Sequence, residues 1–294
     1  MNEHHKPVGT PPATIPTAIV ELVRIAHIGG GRGISLSAQP RGSLGSKGKP
    51  FEIFAKNMFA GCLGALASNV DDAWKRTFSW LGSLNAPPDF MIWGGDAVEV
   101  KQQSGVGQIA LNSSPPKRTL KVDDPRIEKD CRVCEQWTEK DFLYFLGKVN
   151  DEYVEALWII DGSCISDLPQ RYDVLFGNLA ITVADLGGEK TNELGRFNKV
   201  DALKSTSLRI RAMWSLEHPA NTFKDFLVPP RPGHFVLNTL VSAKKWDLYP
   251  ADQLQALADQ SGLGVSVRRI LIPDASSVGE TTEAVHVSWS ISIN

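Results

Sequence analysis

The stretch at residues 87–103, PPDFMIWGGDAVEVKQQ, limits what this chain can fold into more than any other. Two short apolar runs flank a Gly-Gly pair, which is the pattern of a β-hairpin. A two-residue loop at 94–95 would mix charged and apolar side chains on each face of the hairpin, which a half-buried sheet resists. A three-residue loop at 94–96 is a common hairpin form with glycine at the left-handed position. We predict this second loop, because it gives the hairpin one wholly apolar face.

The predicted register also decides which polar side chains meet. On the apolar face, the predicted pairs are Phe90 with Val100 and Ile92 with Val98. On the opposite face, Asp89 lies across from Lys101, and Glu99 lies beside them across from Met91. The hairpin is therefore expected to gather two carboxylates and one ammonium group on one side of a sheet.

The group formed by Asp89, Glu99 and Lys101 has two interpretations. Two carboxylates can hold a hard divalent cation such as Mg²⁺ through oxygen ligands, and the metal would polarise a phosphoryl oxygen and lower the pKa of a bound water. A nearby ammonium could stabilise the developing negative charge, so the group contains the parts that phosphodiester hydrolysis needs. Alternatively, the hairpin lies on the surface, with an Asp89–Lys101 pair worth only about 0.2–1 kcal/mol.

Periodicity in the rest of the chain predicts an α/β fold. Helices are expected at 17–28 with Thr17 as cap, at 51–67, at 69–84, at 139–149 behind a Thr138 cap, at 170–180 and at 250–262, ending at Gly262. Strands besides the hairpin are expected at 106–112, 153–161, 207–217, 264–272 and 284–293. The apolar run 153–161 is typical of a strand buried in a mixed or parallel sheet. We therefore predict a mixed central sheet, partly antiparallel, flanked by helices.

Bulk composition leaves several kinds of partner open. The chain of 294 residues has a net charge of −2 and no apolar run of about 18 residues, so no membrane span is predicted. Its polar, Pro-rich N-terminus lacks the apolar core of a signal peptide, so we expect a cytoplasmic protein. Binding of phosphates needs only a local basic patch, and Lys and Arg outnumber acids at 101–132 and at 196–211. The Gly/Ser-rich segment 29–50 is expected to be a flexible arm, acting either as a linker, which is the better default, or as a segment that orders on a polyanion.

Motifs in the middle of the chain resemble a known family. Pro88-Asp89 and Glu99-Val100-Lys101 occupy the positions of the PD-(D/E)XK nuclease signature. The longer pattern GDAVEVKQ…IALNSSPPKRTL…DDPRIEKDCRVCEQW.EKDFLYFLG, where the dot marks Thr138, resembles the NgoPII-type family of type II restriction endonucleases. The similarity is clearest over residues 50–165, where the signature occurs together with LNSSPPK, DDPRI and CRVCE in this order.

The resemblance implies a restriction-endonuclease-like PD-(D/E)XK core with added N- and C-terminal elements. The implied regions are an N-terminal helix and arm at 1–49, the nuclease core at 50–165, and a region for DNA recognition and dimerisation at 166–294 that packs as one domain with the core. The implied activity is Mg²⁺-dependent cleavage of double-stranded DNA by a homodimer. The cleaved site would be a short, GC-rich palindrome such as GGCC.

The same resemblance implies roles for individual residues. Asp89 and Glu99 would be metal ligands, and Lys101 would be the catalytic lysine. Glu52 lies in the first predicted core helix, where related nucleases often place a further acid, so it is a candidate third ligand. An acid at that position can equally be a solvent-facing helix residue.

A second group of residues is predicted to contact DNA. Those that follow the hairpin have side chains that reach base edges or phosphates, although an ordinary polar loop would also contain them. Arg209 and Arg211 lie two apart on a predicted strand and so point the same way, towards DNA or towards solvent. The candidates are Gln103, Asn112, Ser113, Ser114, Lys117, Arg118, Arg126, Arg132, Arg209 and Arg211.

Other kinds of site have less support in the sequence. Cys131 and Cys134 form a C-x2-C pair without a second such pair, so packed thiols are a better interpretation than a zinc site. The GGGRG motif at 29–33 lacks the lysine and hydroxyl of a P-loop, so no nucleotide cofactor is predicted. Two rival functions remain open, namely a non-catalytic DNA-binding protein on a nuclease fold and a structure-selective repair or resolvase nuclease.

Overall fold

The structure, a computed structural model, describes residues 12–29, 34–41, 43–45, 49–64, 67–83, 86–191 and 193–293. The helices in these ranges are α1 (Ile15–Ile28), α2 (Pro50–Ala60), α3 (Ala67–Thr77), α4 (Lys129–Val133), α5 (Gly162–Ile165), α6 (Pro169–Asp185), α7 (Pro219–Thr222), α8 (Ala243–Trp246) and α9 (Ala251–Ala258). The strands are β1 (Phe78–Trp80), β2 (Phe90–Ile92), β3 (Ala97–Gln103), β4 (Ile109–Asn112), β5 (Thr119–Lys121), β6 (Glu139–Asn150), β7 (Tyr153–Asp161), β8 (Glu189–Lys190), β9 (Leu194–Phe197), β10 (Leu208–Arg211), β11 (Trp214–Leu216), β12 (His234–Ser242), β13 (Ser266–Pro273) and β14 (Thr281–Ser292). Short 3₁₀ helices lie at Ser43–Gly45 and Asp259–Leu263.

A mixed sheet forms the centre of the fold. Its strand order is β1-β2-β3-β6-β7-β12-β14-β13, and β5 pairs with the first residues of β6. The pairs β3–β6 and β7–β12 are parallel, whereas β2–β3, β6–β7 and β12–β14 are antiparallel. The α/β class and the mixed central sheet flanked by helices are therefore confirmed. Smaller sheets, β10-β9-β8 and β11-β4, lie outside the central one.

Hydrophobic clusters cover both faces of the central sheet. On one face, helices α1, α2 and α3 pack against the sheet, and the ring of Phe145 lies 5.5 Å from that of Phe51. Gly147 in β6 makes room for this contact, because a Cβ there would lie 2.1 Å from the ring of Phe51. The other face carries a second cluster that includes Tyr144 and Trp158. Successive residues of a strand point to opposite faces, so the central strands contribute side chains to both clusters.

The segment 139–149, predicted as a helix behind a Thr138 cap, is the central strand β6, so that prediction was wrong. Its residues alternate between the two clusters, with Phe142 and Tyr144 on one side and Leu143 and Phe145 on the other. A continuous apolar run fits a buried strand and a buried helix equally well by periodicity. Distant parts of the chain bury both faces of this segment, and this burial on two sides favours the strand.

Several predicted helix ends also differ from the structure. Helix α1 begins at Ile15 rather than after Thr17, because Thr14 and Thr17 form a capping box, in which the Thr14 backbone N–H donates to Thr17 Oγ1 at 2.9 Å. Helix α2 ends at Ala60 because Gly61 takes a left-handed conformation, so the prediction of 51–67 was too long. The helix predicted at 69–84 was also too long, because α3 ends at Thr77 and strand β1 follows it. Helix α9 ends at Ala258, continues as the 3₁₀ helix and stops at Gly264 instead of Gly262.

Strand predictions are confirmed for β7, β13 and β14, and corrected elsewhere. The segment 106–112 contributes β4, which pairs with β11 rather than with the hairpin. The segment 207–217 divides into β10 and β11, which belong to different sheets. Sequence reasoning missed β12, although HFVLNTLVS at 234–242 is rich in β-branched and aromatic residues. This strand is essential to the architecture, because it joins β7 to β14.

Part of the segment predicted as a flexible arm is packed against the body of the protein. Ile34 and Leu36 are buried, and Ser35 forms a β-bridge with Tyr153. Residues 34–41 therefore have a defined place against β7, and residues 30–33, 42 and 46–48 lie outside the described residues. None of the helices in the described ranges has the length and hydropathy of a membrane span.

Candidate active site

The β2–β3 hairpin closes one residue earlier than predicted. Its three-residue loop is 93–95, and the Ile92 N–H donates to the Asp96 carbonyl at 2.9 Å. Phe90 consequently pairs with Val98 instead of Val100. Asp96 is outside the loop because its buried carboxylate is bonded to Lys245 at 2.5 Å, a contact that the local sequence does not reveal.

The corrected register leaves the predicted faces unchanged. Because the side-chain period of a strand is two, a shift of two residues alters the partners but keeps each residue on its face. Phe90 and Val98 accordingly belong to the cluster beneath α2, whereas Met91 and Ala97 belong to the other cluster. Glu99 follows Ala97 by two residues on β3 and therefore lies on the second face.

The three charged residues of the hairpin form one connected group. The Val100 backbone N–H donates to Asp89 Oδ2 at 2.6 Å, which fixes this carboxylate against β3. Lys101 Nζ lies 2.7 Å from Glu99 Oε1, so its ion pair is with Glu99 rather than with Asp89. The side chains of Glu99 and Lys101 are only 15% and 25% exposed. These contacts contradict the alternative of a surface hairpin closed by an Asp89–Lys101 pair.

A close backbone approach also holds Asp89 in place. Gly82, in the segment that follows β1, has a φ of +90°. A Cβ at Gly82 would lie 2.2 Å from the carbonyl oxygen of Asp89. A side chain at this position would therefore push the backbone of Asp89 away from the hairpin, and only glycine fits both the conformation and the space.

The electrostatic environment of Asp89 opposes its charge. Burial, followed by repulsion from Glu99, raises its pKa to about 7, and the hydrogen bond from Val100 only partly offsets this. The more distant carboxylate of Glu52 raises the pKa further, whereas Lys101 lowers it. A carboxylate in this state gains from any external cation, because a positive charge would relieve the repulsion.

Lys101 and Glu99 form an incomplete ion pair. Burial lowers the pKa of Lys101, but the charge and hydrogen bond of Glu99 outweigh it and leave the pKa raised, so Lys101 is an ammonium ion at neutral pH. Glu99 Oε2 is buried, and the described residues supply no hydrogen-bond partner for it. A buried carboxylate oxygen without a partner is costly, so it indicates a group that the protein alone does not provide.

The site fits a divalent cation that takes two ligands from the protein and its other ligands from water and substrate phosphate. Carboxylate oxygens are the ligands that Mg²⁺ prefers, and Mg²⁺ usually keeps several waters and binds one or two carboxylates together with substrate phosphates. Asp89 and Glu99 supply two such carboxylates. Within the described ranges, no group of three or more His, Cys, Asp or Glu residues is arranged to hold a metal. The two carboxylates therefore leave part of the coordination to water and phosphate.

Glu52 lies on the first turn of α2, close enough for its charge to act on Asp89. One of its oxygens, Oε1, is bonded to Lys56 Nζ at 2.5 Å. Lys56 is 3% exposed, and it also donates to the Leu81 carbonyl at 2.8 Å and lies 5.9 Å from the centre of the Phe90 ring. Sequence reasoning missed Lys56, although the Glu52–Lys56 spacing of four residues on a helix was a readable sign of pairing.

The loop after β4 is tied to the sheet beside Glu99. Glu99 pairs with Tyr144 across the parallel β3–β6 ladder. The Tyr144 hydroxyl accepts a hydrogen bond from the Lys117 backbone N–H at 2.8 Å. The side chain of Lys117 is itself buried and ion-paired with Asp124. The predicted DNA-contacting loop is therefore anchored next to the carboxylates, with Lys117 as part of the anchor.

The remaining candidates near this loop differ in accessibility. Asn112 and Ser113 are exposed at the end of β4, and Asn112 has a φ of +54°. Ser114 Oγ and Gln103 Oε1 are buried without a hydrogen-bond partner in the described ranges. Gln103 Nε2 donates to the Gln108 carbonyl at 2.9 Å.

The candidate arginines already make contacts within the chain. Arg118 donates to Ser276 Oγ at 2.7 Å, and Arg126 lies 3.5 Å from Asp124. Arg132 donates to the carbonyls of Val122 and Asp124, each at 2.5 Å. On β10, Arg209 and Arg211 are 62% and 50% exposed and both pair with Glu193. These last two lie in the small β10-β9-β8 sheet, apart from the sheet that carries the carboxylates.

Cys131 and Cys134 are buried thiols, as the packed-thiol interpretation predicted. Cys131 Sγ lies 3.8 Å from Met91 Sδ, and Cys134 Sγ donates to the Cys131 carbonyl at 3.1 Å. Burial raises the pKa of Cys131 to about 12. This thiol is therefore protonated at neutral pH and packs beneath the hairpin.

Comparison with known proteins gives two matches. The family model described as NgoPII restriction endonuclease matches residues 15–273. The type II restriction enzyme NgoPII of Neisseria gonorrhoeae is 31% identical over 248 residues, which cover 82% of this chain and 89% of that enzyme. No solved structure matches this chain. The family match extends well beyond residues 50–165, where the motifs are clearest, and includes most of the C-terminal region.

Proposed function

This chain belongs to the NgoPII restriction endonuclease family and is a site-specific deoxyribonuclease, and on that premise we propose that Asp89, Glu99 and Lys101 are its catalytic residues. The observation that carries the proposal is the unsatisfied Oε2 of Glu99, buried beside a carboxylate with a pKa near 7. Catalytic sites are where such uncompensated groups are expected. Asp89 and Glu99 would hold Mg²⁺ together. Glu52 would act on the ion through a bound water, because the described residues contain no group of three direct ligands.

The bound Mg²⁺ would act as a Lewis acid that polarises the scissile phosphate. Asp89 must be ionised to serve as a ligand, so the site should load more readily as the pH rises through about 7. Val100 holds the Asp89 carboxylate in place by its backbone N–H. Repulsion between Asp89 and Glu99 is stored in the folded protein and is relieved when a cation is present.

Lys101 would act as a charged donor rather than as a base. Its ammonium is held by Glu99 and cannot accept a proton. In hydrolysis, the oxygen of water bonds to phosphorus and the bond from phosphorus to the leaving oxygen breaks. The attacking water gives up one proton to solvent, and the leaving oxygen takes up one proton. Lys101 would orient the attacking water or stabilise the negative charge that develops on the phosphate.

DNA would be held by the loop after β4 and by exposed arginines. Asn112 and Ser113 are exposed, so they are the proposed contacts to base edges or phosphate. Residues whose polar groups are buried or internally bonded would support that loop and shape the local charge; they are Gln103, Ser114, Lys117, Arg118, Arg126 and Arg132. Arg209 and Arg211 would contact phosphate. The proposed substrate is a short, GC-rich palindrome such as GGCC, cut by a homodimer whose two-fold axis matches that of the DNA.

The test is digestion of sequenced phage and plasmid DNA, with Mg²⁺ and with EDTA, by the wild-type chain and by Asp89→Ala and Lys101→Ala. We expect discrete fragments that require both metal and the two side chains, and mapping of their ends gives the site. The exposed Lys121→Ala on β5 is the matched control and should cut normally. Specific binding of the two inactive variants, measured by mobility shift, should be largely retained.

The outcomes separate the rival functions. Cleavage confined to branched or damaged DNA would indicate a structure-selective nuclease instead. Specific binding without cleavage over several divalent ions and unmethylated DNAs would indicate a non-catalytic DNA-binding protein. Loss of site binding in folded Asp89→Ala and Lys101→Ala would refute the assigned roles.

A further inference from the structure

Helix α6 presents an apolar face that the described chain does not cover. Its inner side packs against the β10-β9-β8 sheet, where Val183 contacts Gly188 and Gly195. On and beside its outer side, six large apolar residues are 44–72% exposed; they are Leu168, Val174, Leu175, Leu179, Ile181 and Leu186. Such a concentration on one helix differs from the single exposed apolar residues that any surface carries, and it marks an interaction surface.

Charged residues lie at the two ends of this face. Arg171, Leu175, Asn178, Thr182 and Asp185 are spaced by four, three, four and three residues, so they form one line along the outer side of the 17-residue helix. The line begins with a cation and ends with an anion. Asn178 lies midway between them.

This pattern is complementary to itself. In a two-fold interface, residue i meets residue j and residue j meets residue i. If two copies of α6 cross antiparallel at Asn178, Arg171 of each copy lies opposite Asp185 of the partner subunit. Arg171 already bonds to Asp167 through Nε at 3.3 Å, but a guanidinium has further N–H donors and can bridge two carboxylates.

A groove alongside the helix can receive the flanking side chains of a second helix. It has a volume of about 910 Å³ and lies between Val174, Leu175 and Asn178 on one side and Trp214 and Ala275 on the other. The apolar residues of α6 leave on the order of 500 Å² of apolar surface. A standard-size interface buries roughly 800 Å² per subunit, and homodimer interfaces are about 65% apolar. The patch therefore matches the apolar share of an interface at the lower end of the range for stable dimers.

We propose that α6 is the subunit interface, packed antiparallel against α6 of a second copy with reciprocal Arg171–Asp185 pairs. The assignment rests on the proposed function in one respect, namely that a two-fold enzyme matches a palindromic site. Its geometric basis is independent of cleavage, because none of these residues belongs to the proposed catalytic or DNA-binding set.

The test measures the mass of the full chain by sedimentation equilibrium, in buffer without metal or DNA. Wild type should have twice the mass of the chain. Leu175→Asp should weaken the dimer at least about 100-fold, because it places a charge among buried apolar side chains one turn from the crossing point at Asn178. Leu248→Asp, at a leucine that is 78% exposed elsewhere, is the matched control and should leave the dissociation constant unchanged.

Charge reversal tests the antiparallel register. Arg171→Asp and Asp185→Arg should each weaken the dimer about tenfold, since each places like charges across the interface, and the double variant should recover most of the wild-type affinity. Circular dichroism confirms that each variant is folded. A monomeric wild type, or a dimer insensitive to Leu175→Asp, overturns the proposal, and failure of the double variant to recover overturns the register. Because the measurement contains no DNA, a dimer lacking nuclease activity would refute the proposed function while leaving this interface intact.

Discussion

The β2–β3 hairpin has a glutamate–lysine pair at each end, and only one of the two pairs is complete. At the loop end, Glu135 Oε1 accepts from Lys140 at 2.6 Å and from Ser79 at 2.7 Å, while its Oε2 accepts from the Gly94 N–H at 2.9 Å. Lys140 also donates to the carbonyls of Ile92 and Gly95. At this end both carboxylate oxygens of Glu135 have partners, and the network holds the turn in place.

At the open end, Glu99 accepts from Lys101 through Oε1 only, and its buried Oε2 has no partner in the described part of the chain. Asp89 lies beside it with a raised pKa. Both ends use the same residue types, although Glu135 and Lys140 are 7% and 4% exposed, against 15% and 25% for Glu99 and Lys101. The difference shows that composition does not distinguish a structural ion pair from a candidate metal site, whereas hydrogen-bond completeness does.

Glutamine substitution of the glutamate at each end tests most directly whether the two pairs have different roles. Glu99→Gln is expected to lower the cleavage rate at least about 1,000-fold, or roughly 4 kcal/mol, because it removes the charge of a proposed metal ligand. Glu135→Gln should cut at the wild-type rate but lose about 1–3 kcal/mol of the free energy of unfolding, because Lys140 would keep a buried charge. Plasmid digestion and urea unfolding measure the two effects. Loss of cutting in folded Glu135→Gln would contradict the division of roles.

Lys140→Met sharpens the structural side of the comparison. Removing this ammonium leaves Glu135 with an uncompensated charge beneath the turn, so the free energy of unfolding should fall by about 3–5 kcal/mol. Lys121→Met, on the neighbouring strand β5 but exposed, is the matched control and should change stability by no more than about 0.5 kcal/mol. Equal effects from the two variants in urea unfolding would show that the network at the loop end contributes no stability.

Asp89→Asn tests the repulsion between the Asp89 and Glu99 carboxylates at the open end. The pKa of Asp89 is about 7 in the folded protein, above the ordinary value of 3.8. Its charge therefore costs stability increasingly as the pH rises from about 4 to 7, and the full cost applies above 7. Without metal, Asp89→Asn should be more stable than wild type by about 1–3 kcal/mol at pH 8 and equal to it near pH 4.

Urea unfolding at the two pH values measures this effect, with the exposed Asp123→Asn as a control that should show no pH-dependent gain. Added Mg²⁺ should stabilise wild type but not Asp89→Asn, since binding to the folded state alone raises stability. A variant that is less stable than wild type at pH 8 would show that Asp89 is a structural residue.

Glu52→Gln should have the smallest effect. Its Oε1 is already bonded to Lys56, so only one oxygen is available to a metal. We expect the Mg²⁺ concentration for half-maximal cleavage to rise about tenfold, or roughly 1.4 kcal/mol, with little change in the maximal rate. The exposed Asp72→Asn on α3 is the control. An unchanged metal dependence would leave Glu52 as the partner of Lys56 alone.

Local patterns predicted part of the fold. The hairpin faces were correct despite a wrong loop, because alternation along a strand depends only on the chain itself. Strand β7 and helix α6 were also found from short-range patterns. The helix predicted at 139–149 failed because a continuous apolar run is ambiguous until the surrounding layers are known.

The sequence by itself determined that Asp89, Glu99 and Lys101 share one face of a hairpin, and its motifs identified the family. Only the tertiary structure decided that Lys101 pairs with Glu99, that Lys56 is buried against Glu52, and that one oxygen of Glu99 is left without a partner. The physical reason is that alternation is set by successive backbone bonds, whereas desolvation and hydrogen-bond completion depend on residues brought together from distant parts of the chain.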